Sequence, residues 1–392
     1  MKLTAEPMDL VTKHVFGISR STRRVFENVL VRIEAGGFTG LGEAAPTDFY
    51  GEDRASTLKA LDAMAEVLEK GFGLLNASRE SAPGASREGS GDEEAGAAPG
   101  KERSREERGG TGERKATKTK PPADLLQFHM QTVLEGIDCV QGPCAAAKAA
   151  VDMALYDLLG KELEVPLWRM LGLDPNRTPI TSFTIGLDDL DVMMRKVQEA
   201  SDFPLLKVKL NTGADVHVVE AIRARTSQRI RVDANCAWKP EEAVEVIEKL
   251  RDLGVEMIEQ PVDRGDIEGL RYVTENADVP IFADESVMVS SDVPRLAGAV
   301  DGINIKLMKC GGVSEALRMI HTARAVGLKV MIGCMIESSI AISAAAHLTP
   351  LVDAADLDGN LLIKDDPFDG AKVEDGKIVL PAGPGLGVIG RG

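Results

Sequence analysis

Three acids close three consecutive apolar runs of this chain: Asp233 in RVDAN, Glu259 in MIEQP and Asp284 in FADES. They fall 26 and 25 residues apart, about one strand–helix unit each. On adjacent parallel strands, three carboxylates at that spacing stand side by side on one rim. Left unpaired, they repel one another strongly. A hard divalent cation with oxygen preference resolves the conflict, and Mg²⁺ is the commonest candidate. Taken singly, each acid reads as a helix N-cap or a salt-bridge partner; the three together point to a metal.

Two lysine pairs flank the trio: Lys207 and Lys209 in LLKVKL before it, Lys306 and Lys309 in INIKLMK after it. The period of a strand puts Lys207 and Lys209 on one side. An inward lysine is costly unless anions lie nearby. The plain reading is therefore a lysine paired to a metal-ligand carboxylate. The sharper one is a general base, because a cation beside a lysine disfavours its ammonium form and brings its pKa toward the working range. The order Lys, Asp, Glu, Asp, Lys predicts bases on opposite walls of a barrel. A substrate carboxylate on the cation then has its α-carbon between two amines. One removes the α-proton and the other returns a proton on the opposite face, a racemisation or epimerisation. The cation stabilises the enediolate that such a weak carbon acid must form.

The elements that must hold these groups are legible as alternation. Short apolar runs occur at Thr181–Ile185, Leu205–Leu210, Ile230–Asn235, Met257–Gln260, Ile281–Asp284, Gly302–Leu307, Lys329–Cys334 and Ala354–Asp358. Amphipathic stretches such as Pro240–Leu253 and Val313–Val326 lie between them. Eight evenly spaced strands, most followed by a helix, predict a (β/α) barrel, in which residues at the C-terminal strand ends face the active site. No GxGxxG opens the first unit, which lowers the dinucleotide-binding alternative. Ahead of the barrel, Asn28–Glu34 reads as a strand, and helical patterning covers Arg54–Glu69 and Ala123–Glu135, an α+β module. Residues 361–392 lack a helical pattern and are expected to return to that module. Between Asn76 and Pro122 there is no Val, Ile, Leu, Met, Phe, Tyr, Trp or Cys, so this segment is expected to be disordered. It reads as a tolerated surface-loop insertion, or as a partner-binding arm on the basic stretch Arg114–Lys120.

The motifs KVKL, VDAN, IEQP, ADES and NIKLMKCGG, in this order, resemble the enolase superfamily, muconate-lactonizing-enzyme subgroup, over nearly the whole chain outside the insert. The resemblance implies an α/β fold, a modified TIM barrel of (β/α)7β type with an N-terminal α+β capping domain. Residues 1–140 would form the cap with its insert at 76–122, residues 141–360 the barrel, and 361–392 a segment completing the cap. It implies Asp233, Glu259 and Asp284 as Mg²⁺ ligands, Lys209 and Lys306 as the two bases and Lys207 as an auxiliary. Asn235 and Glu285 would steady the metal ligands or the lysines.

Among activities of the subgroup, the DxD of ADLDGN, Asp356 and Asp358, resembles dipeptide epimerases of the L-Ala-D/L-Glu type, where it receives the free α-ammonium. Two carboxylates there suit a cation and repel a dicarboxylate; an Asx turn is the plain alternative. Thr184 and Ser182 resemble contacts to the substrate carboxylate. FGISRSTRR resembles the loop that closes over the site, with Arg20 placed to pair with an acidic side chain, although Arg23 and Arg24 adjoin it and any of the three reads equally as solvated. Glu337 in GCMIESS has no assigned role. Rival readings are an N-acylamino acid racemase, an o-succinylbenzoate synthase or a cycloisomerase, or a non-catalytic barrel that binds a metal and a peptide.

Composition bounds the rest. The 392 residues carry Lys+Arg 46 against Asp+Glu 62, a net charge of −16, which argues against a nucleic-acid partner. Hydrophobic residues make up 44%, enough for a large core. No apolar run approaches a membrane span, and the first residues lack the apolar stretch of a secretory signal. Five cysteines without CxxC spacing fit a reducing compartment. The expectation is a cytoplasmic protein with a dipeptide as its small-molecule partner, no membrane partner, and a homo-oligomeric state left open.

Overall fold

The computed structural model describes residues 1–80 and 129–391. Its first sheet is antiparallel and three-stranded: β1 (Lys2–Ile18), β2 (Ser21–Ala35) and β3 (Phe38–Ala44). Strands β1 and β2 make a long hairpin whose register slips between Val11 and Phe16. The strand expected over 28–34 is the mostly buried C-terminal half of β2; the first half of β2 is largely exposed, and β1 mixes charged and apolar residues.

Helices α1 (Arg54–Glu80), α2 (Met130–Asp138) and α3 (Ala145–Glu162) follow. Helix α1 runs past the expected end at Glu69 and includes residues 76–80 of the segment expected to be disordered; the rest of that segment, from residue 81, lies outside the described residues, as do the first residues of the helix expected over 123–135.

Helix α3 packs on β3 because both surfaces are nearly flat. The helix offers Ala146, Ala147, Ala150 and Ala154. On β3, Gly40 and Gly42 are two apart and so share a face. A Cβ on Gly42 would lie 1.9 Å from the carbonyl oxygen of Ala150, and one on Gly40 1.9 Å from that of Ala154. Asp157 of α3 joins three parts of the chain. It accepts from the Leu41 N–H at 2.8 Å, the Lys161 ammonium at 2.6 Å and the Leu386 N–H at 2.8 Å.

After a short α4 (Leu167–Met170) the barrel begins with β4 (Phe183–Ile185), α5 (Leu190–Glu199), β5 (Leu205–Lys209), α6 (Val216–Arg223), β6 (Arg229–Asp233) and α7 (Pro240–Asp252). It continues through β7 (Val255–Glu259), α8 (Ile267–Asn276), β8 (Ile281–Ala283), α9 (Val293–Leu296) and β9 (Gly302–Lys306). The last units are α10 (Leu307–Cys310), α11 (Val313–Ala325), β10 (Lys329–Gly333), α12 (Ser339–Ala346) and β11 (Ala354–Asp356). All eight expected strands are present as neighbours in one parallel sheet, and Thr181 bridges Ala355 so that β11 closes on β4. The architecture is a (β/α)7β barrel with an N-terminal strand module.

Helix α7 shows why the connecting segments are helical. Pro240 occupies its first turn with Glu241 and Glu242, and Lys249 and Arg251 its last, which suits the helix dipole at both ends. Ala243, Val246, Ile247 and Leu250 recur at i, i+3, i+4 and i+7 and are the residues it buries.

Beyond the barrel, α13 (Gly359–Leu362) leads back to the N-terminal sheet: Ile363 bridges Thr12, and the Lys364 N–H donates to the Val11 carbonyl at 2.8 Å. The chain ends in β12 (Phe368–Asp369), paired with β15 (Ile389–Gly390), and the hairpin of β13 (Lys372–Glu374) and β14 (Lys377–Val379). Among the described residues, no helix is long and apolar enough to cross a membrane.

The glycine face of β3 gives a stability prediction. Gly42→Ala places a methyl group against a rigid helix backbone and should cost about 1–3 kcal/mol. A fall in Tm of the variant checks this, and an unchanged Tm would refute the close-packing argument.

Candidate active site

The parallel register sets the chemistry-bearing groups level with one another. Lys209 pairs with Asp233, and Asp233 with Glu259. Glu259 is level with Phe282, two residues before Asp284. Across the barrel, Gly333 is level with both Lys306 and Asp356. Strands β5 and β9 are separated by β6, β7 and β8 on one side and by β10, β11 and β4 on the other. Lys209 and Lys306 therefore project from opposite walls, with the three acids on the arc between them.

All these side chains are buried, and they neutralise one another. Lys209 Nζ lies 2.5 Å from Asp233 Oδ2. Lys207 Nζ reaches Asp356 Oδ2 at 2.6 Å, Glu259 Oε2 at 2.7 Å and Asp233 Oδ2 at 3.2 Å. Lys306 Nζ lies 2.8 Å from Asp284 Oδ2, and Lys309 Nζ 2.5 Å from Asp284 Oδ1.

Burial works against every charge here, and the neighbours decide the outcome. Asp233 is held below the ordinary carboxylate range by Lys209, Lys207 and Lys306, and Asp284 by Lys306 and Lys309. Glu259 is pushed up by burial and by Asp233 beside it. Burial opposes the Lys306 ammonium, but Asp284 and Glu259 outweigh it and hold the group well above the usual lysine range. Lys207 is raised in the same way, chiefly by Asp356 and Glu259.

Among the described residues, no three His, Cys, Asp or Glu side chains converge as a ready-made chelate. The reason is on view: ammonium groups lie against the acids. The donor set nevertheless fits a hard divalent cation. Asp233 Oδ2, Glu259 Oε2 and Asp284 Oδ2 are each paired with a lysine, so positive charge already sits where a cation would compensate them. Asn235 Oδ1 and Glu285 Oε2, close by, are buried acceptors without a hydrogen-bond partner.

The DxD pair faces β4. Asp356 Oδ1 accepts from the Ser182 hydroxyl at 2.6 Å, and Asp358 Oδ2 accepts from the Thr184 N–H at 2.6 Å. Their carboxylates thus bind across the barrel closure instead of to the backbone that follows them, as an Asx turn would require. Lys207 compensates Asp356. Asp358, raised by burial and by Asp356, has the weaker cationic support.

The hairpin tip between β1 and β2 closes the mouth. Ser19 Oγ and Arg20 Nη1 donate to the Asn235 carbonyl at 3.3 and 2.9 Å, and Arg20 Nη2 donates to Glu285 Oε1 at 2.7 Å. The Arg20 guanidinium stacks over the Phe49 ring at 3.8 Å. Arg20 and Arg23 both line the cavity at the barrel mouth, whose volume is about 400 Å³, along with Thr184, Lys209, Lys306, Asp356 and Asp358. Arg23 is ion-paired to Asp48. Arg24 is exposed.

Four residues near the reacting groups had no role from sequence. Phe49 and Tyr50 follow the N-terminal sheet and line the cavity. Asn304 donates from Nδ2 to Glu259 Oε1 at 2.8 Å. Gln260 accepts at Oε1 from the Asp284 and Ser286 N–H groups at 2.9 and 3.1 Å, which shapes the turn carrying Asp284. Asn304 was accessible in principle, since it stands two residues before Lys306 on the same face. Glu337 accepts from the Met335 N–H at 2.7 Å. Burial and then the neighbouring Glu43 push its carboxyl up to about 8.

Two family models match the chain: "Mandelate racemase / muconate lactonizing enzyme, N-terminal domain" over residues 118–172 and "Enolase C-terminal domain-like" over residues 190–389. The chain is similar to the L-Ala-D/L-Glu epimerase of Bacteroides thetaiotaomicron, 38% identical over 99% of this chain and 88% of that protein. It is similar in structure to the dipeptide epimerase of Enterococcus faecalis complexed with Mg and L-Leu-L-Tyr, with a TM-score of 0.79, 33% identity and coverage of 99% and 98% of the two chains. The substrate-liganded L-Ala-D/L-Glu epimerase of Bacillus subtilis gives a TM-score of 0.77 at 29% identity, covering 100% and 99%.

The buried Glu337 carboxyl yields a pH prediction. Its folded value of about 8 exceeds the ordinary 4.5, so the folded state keeps a proton that the unfolded chain has lost. That contribution to stability is fully present below about pH 4.5 and is lost as pH rises through about 8. Glu337→Gln, which keeps the acceptor for Met335, should therefore raise Tm relative to the parent more at pH 9 than at pH 5. Thermal unfolding at the two pH values checks it.

Proposed function

Because the chain belongs to the enolase superfamily, in its mandelate racemase/muconate lactonizing enzyme branch, we propose that it is a Mg²⁺-dependent dipeptide epimerase acting on an Ala-Glu-like substrate. The observation that carries this reading is the pair of lysines on opposite walls, each in contact with one of the three rim acids. The similarity to dipeptide epimerases adds the substrate class.

Asp233, Glu259 and Asp284 would hold the cation. Bound there, it supplies charge stabilisation for a substrate carboxylate whose α-carbon loses a proton. The chain's own residues do the rest. With a dication sharing the charge of the rim acids, the Lys306 ammonium would lose the support of Asp284 and Glu259, so that it could release its proton to solvent and serve as a base in the free amine form. Lys209 serves the opposite face of the same carbon. A proton removed at one Nζ and replaced from the other inverts the C-terminal residue of the dipeptide. Lys207, bonded to both the rim acids and Asp356, keeps the metal side and the ammonium side in fixed relation.

Asp358 would receive the free α-ammonium of the N-terminal residue. The physical support is that burial and Asp356 push its carboxyl up to about 7, a cost that a cationic group placed against it would relieve. Thr184, beside it on β4, would contact the substrate. Arg20 uses two nitrogens on Asn235 and Glu285, and its remaining donors are available to an acidic side chain in the cavity.

We take residues 1–140 with 361–392 as the cap and 141–360 as the barrel, with α3 sealing one to the other. The five cysteines are free, which fits the cytoplasm, and the acidic net charge offers no general attraction for nucleic acid.

Solvent exchange tests the two-base scheme. In D₂O the C-terminal α-proton of L-Ala-L-Glu should exchange, and Lys209→Ala and Lys306→Ala should each lose exchange from one stereoisomer by about 100-fold or more. Normal epimerisation by both variants would refute it. Substrate assignment is tested by comparing L-Ala-L-Glu with L-Ala-L-Leu. Asp358→Asn should depress kcat/KM for both dipeptides and spare an N-acylated analogue. Arg20→Met should depress it for Ala-Glu alone, by about 10- to 100-fold for a charge-assisted contact. An N-acyl substrate that outperforms the dipeptides would favour a racemase instead.

A further inference from the structure

The three rim acids share a pattern that their proposed role as ligands does not by itself require. One oxygen of each is tied to a donor that belongs to neither catalytic lysine. Asp233 Oδ1 accepts from the Asn235 N–H at 2.9 Å. Glu259 Oε1 accepts from Asn304 Nδ2 at 2.8 Å. Asp284 Oδ1 accepts from Lys309 Nζ at 2.5 Å. The second oxygen of each faces Lys207, Lys209 or Lys306.

The tying donors are fixed. Asn304 is fully buried on β9, and its amide occupies space left by Gly333, where a Cβ would meet Oδ1 at 2.8 Å and Nδ2 at 2.9 Å. Lys309 is buried on α10, and its ammonium also contacts the carbonyls of Asp284, Val287 and Asn304 at 2.6, 3.1 and 3.1 Å. An ammonium so enclosed is a structural counter-ion to one oxygen of Asp284.

A carboxylate oxygen engaged in this way has one lone pair occupied and is held in a fixed orientation, which disfavours bidentate coordination and leaves the other oxygen as the better donor. Ca²⁺ accommodates six to eight oxygens and readily takes both oxygens of a carboxylate, whereas Mg²⁺ demands six single donors in a near-ideal octahedron. We propose that Asn304 and Lys309 are positioning residues that restrict Glu259 and Asp284 to one oxygen each, so that the site discriminates against cations larger than Mg²⁺. This rests on the reading of those two acids as metal ligands.

The test is direct binding of MgCl₂ and CaCl₂ to metal-stripped full-length protein by titration calorimetry, without substrate. The quantity read is the ratio of the two Kd values. Asn304→Ala and Lys309→Met should each lower the preference for Mg²⁺ by about tenfold or more, because the freed oxygen lets Ca²⁺ gain a donor. Gly333→Ala, which displaces the Asn304 amide without deleting it, should move the ratio in the same direction and serves if Asn304→Ala fails to fold. Both cations shifting by one common factor in these variants would overturn the proposal, since a purely electrostatic or structural role does that. Glu259→Gln separates the premise. If it abolishes Mg²⁺ binding while the ratio stays fixed in the other variants, the selectivity role alone is wrong. If it leaves Mg²⁺ binding intact, the ligand assignment falls and the proposal with it.

Discussion

Negative charge concentrated on buried side chains in the barrel mouth is the constraint on which the rest of this protein depends. Asp233, Glu259, Asp284, Glu285, Asp356 and Asp358 are all buried there. Carboxylates so placed are tolerable only when paired and hydrogen-bonded. Lys207, Lys209, Lys306 and Lys309 supply the compensation from the barrel, and Arg20 supplies it from the cap. Two of these compensating groups, Lys209 and Lys306, are also the ones proposed to move protons. Stability and chemistry share one set of ion pairs, and a cation entering the mouth would redistribute them.

The surrounding architecture maintains that balance from several directions. Parallel register brings Lys209, Asp233 and Glu259 to one level, so no loop has to place them. The closure of β11 on β4 brings Ser182 and Thr184 to the DxD pair. The cap hairpin then covers the mouth. Besides the Arg20 contacts, the Leu187 N–H donates to the Gly17 carbonyl at 2.9 Å, at a position where a Cβ on Gly17 would lie 2.3 Å from the Leu187 oxygen. A side chain at residue 17 would lift the tip from the barrel and separate Arg20 from Glu285.

Cap and barrel are also joined away from the mouth. Asp157 binds the N-terminal sheet through Leu41 and the chain end through Leu386, so the last residues of the sequence help fix the first. Buried Glu43 does the same nearer the site: it accepts from Asn28 within the cap sheet and from Ser338 at the start of α12. Both acids hold cap and barrel together through hydrogen bonds that parting would break, which couples the two parts energetically.

The barrel and the identity of its rim groups are legible along the chain. Strand periodicity and a repeat of about 25 residues are local properties, and they place Asp233, Glu259 and Asp284 on neighbouring strands with lysines to either side. Strand β1 escaped that reading because it is laced with charges, and its partner β2 was recognised only where it is buried; alternation with so few apolar residues resembles a loop until a partner strand is known. The partner of each oxygen and nitrogen is set by the folded arrangement alone. That Arg20 meets Glu285, that Asn304 meets Glu259 and that Lys309 serves Asp284 depends on side chains 25 to 265 positions apart converging in one cavity. Period and spacing act along the chain, whereas charge compensation in a low-dielectric interior acts across it.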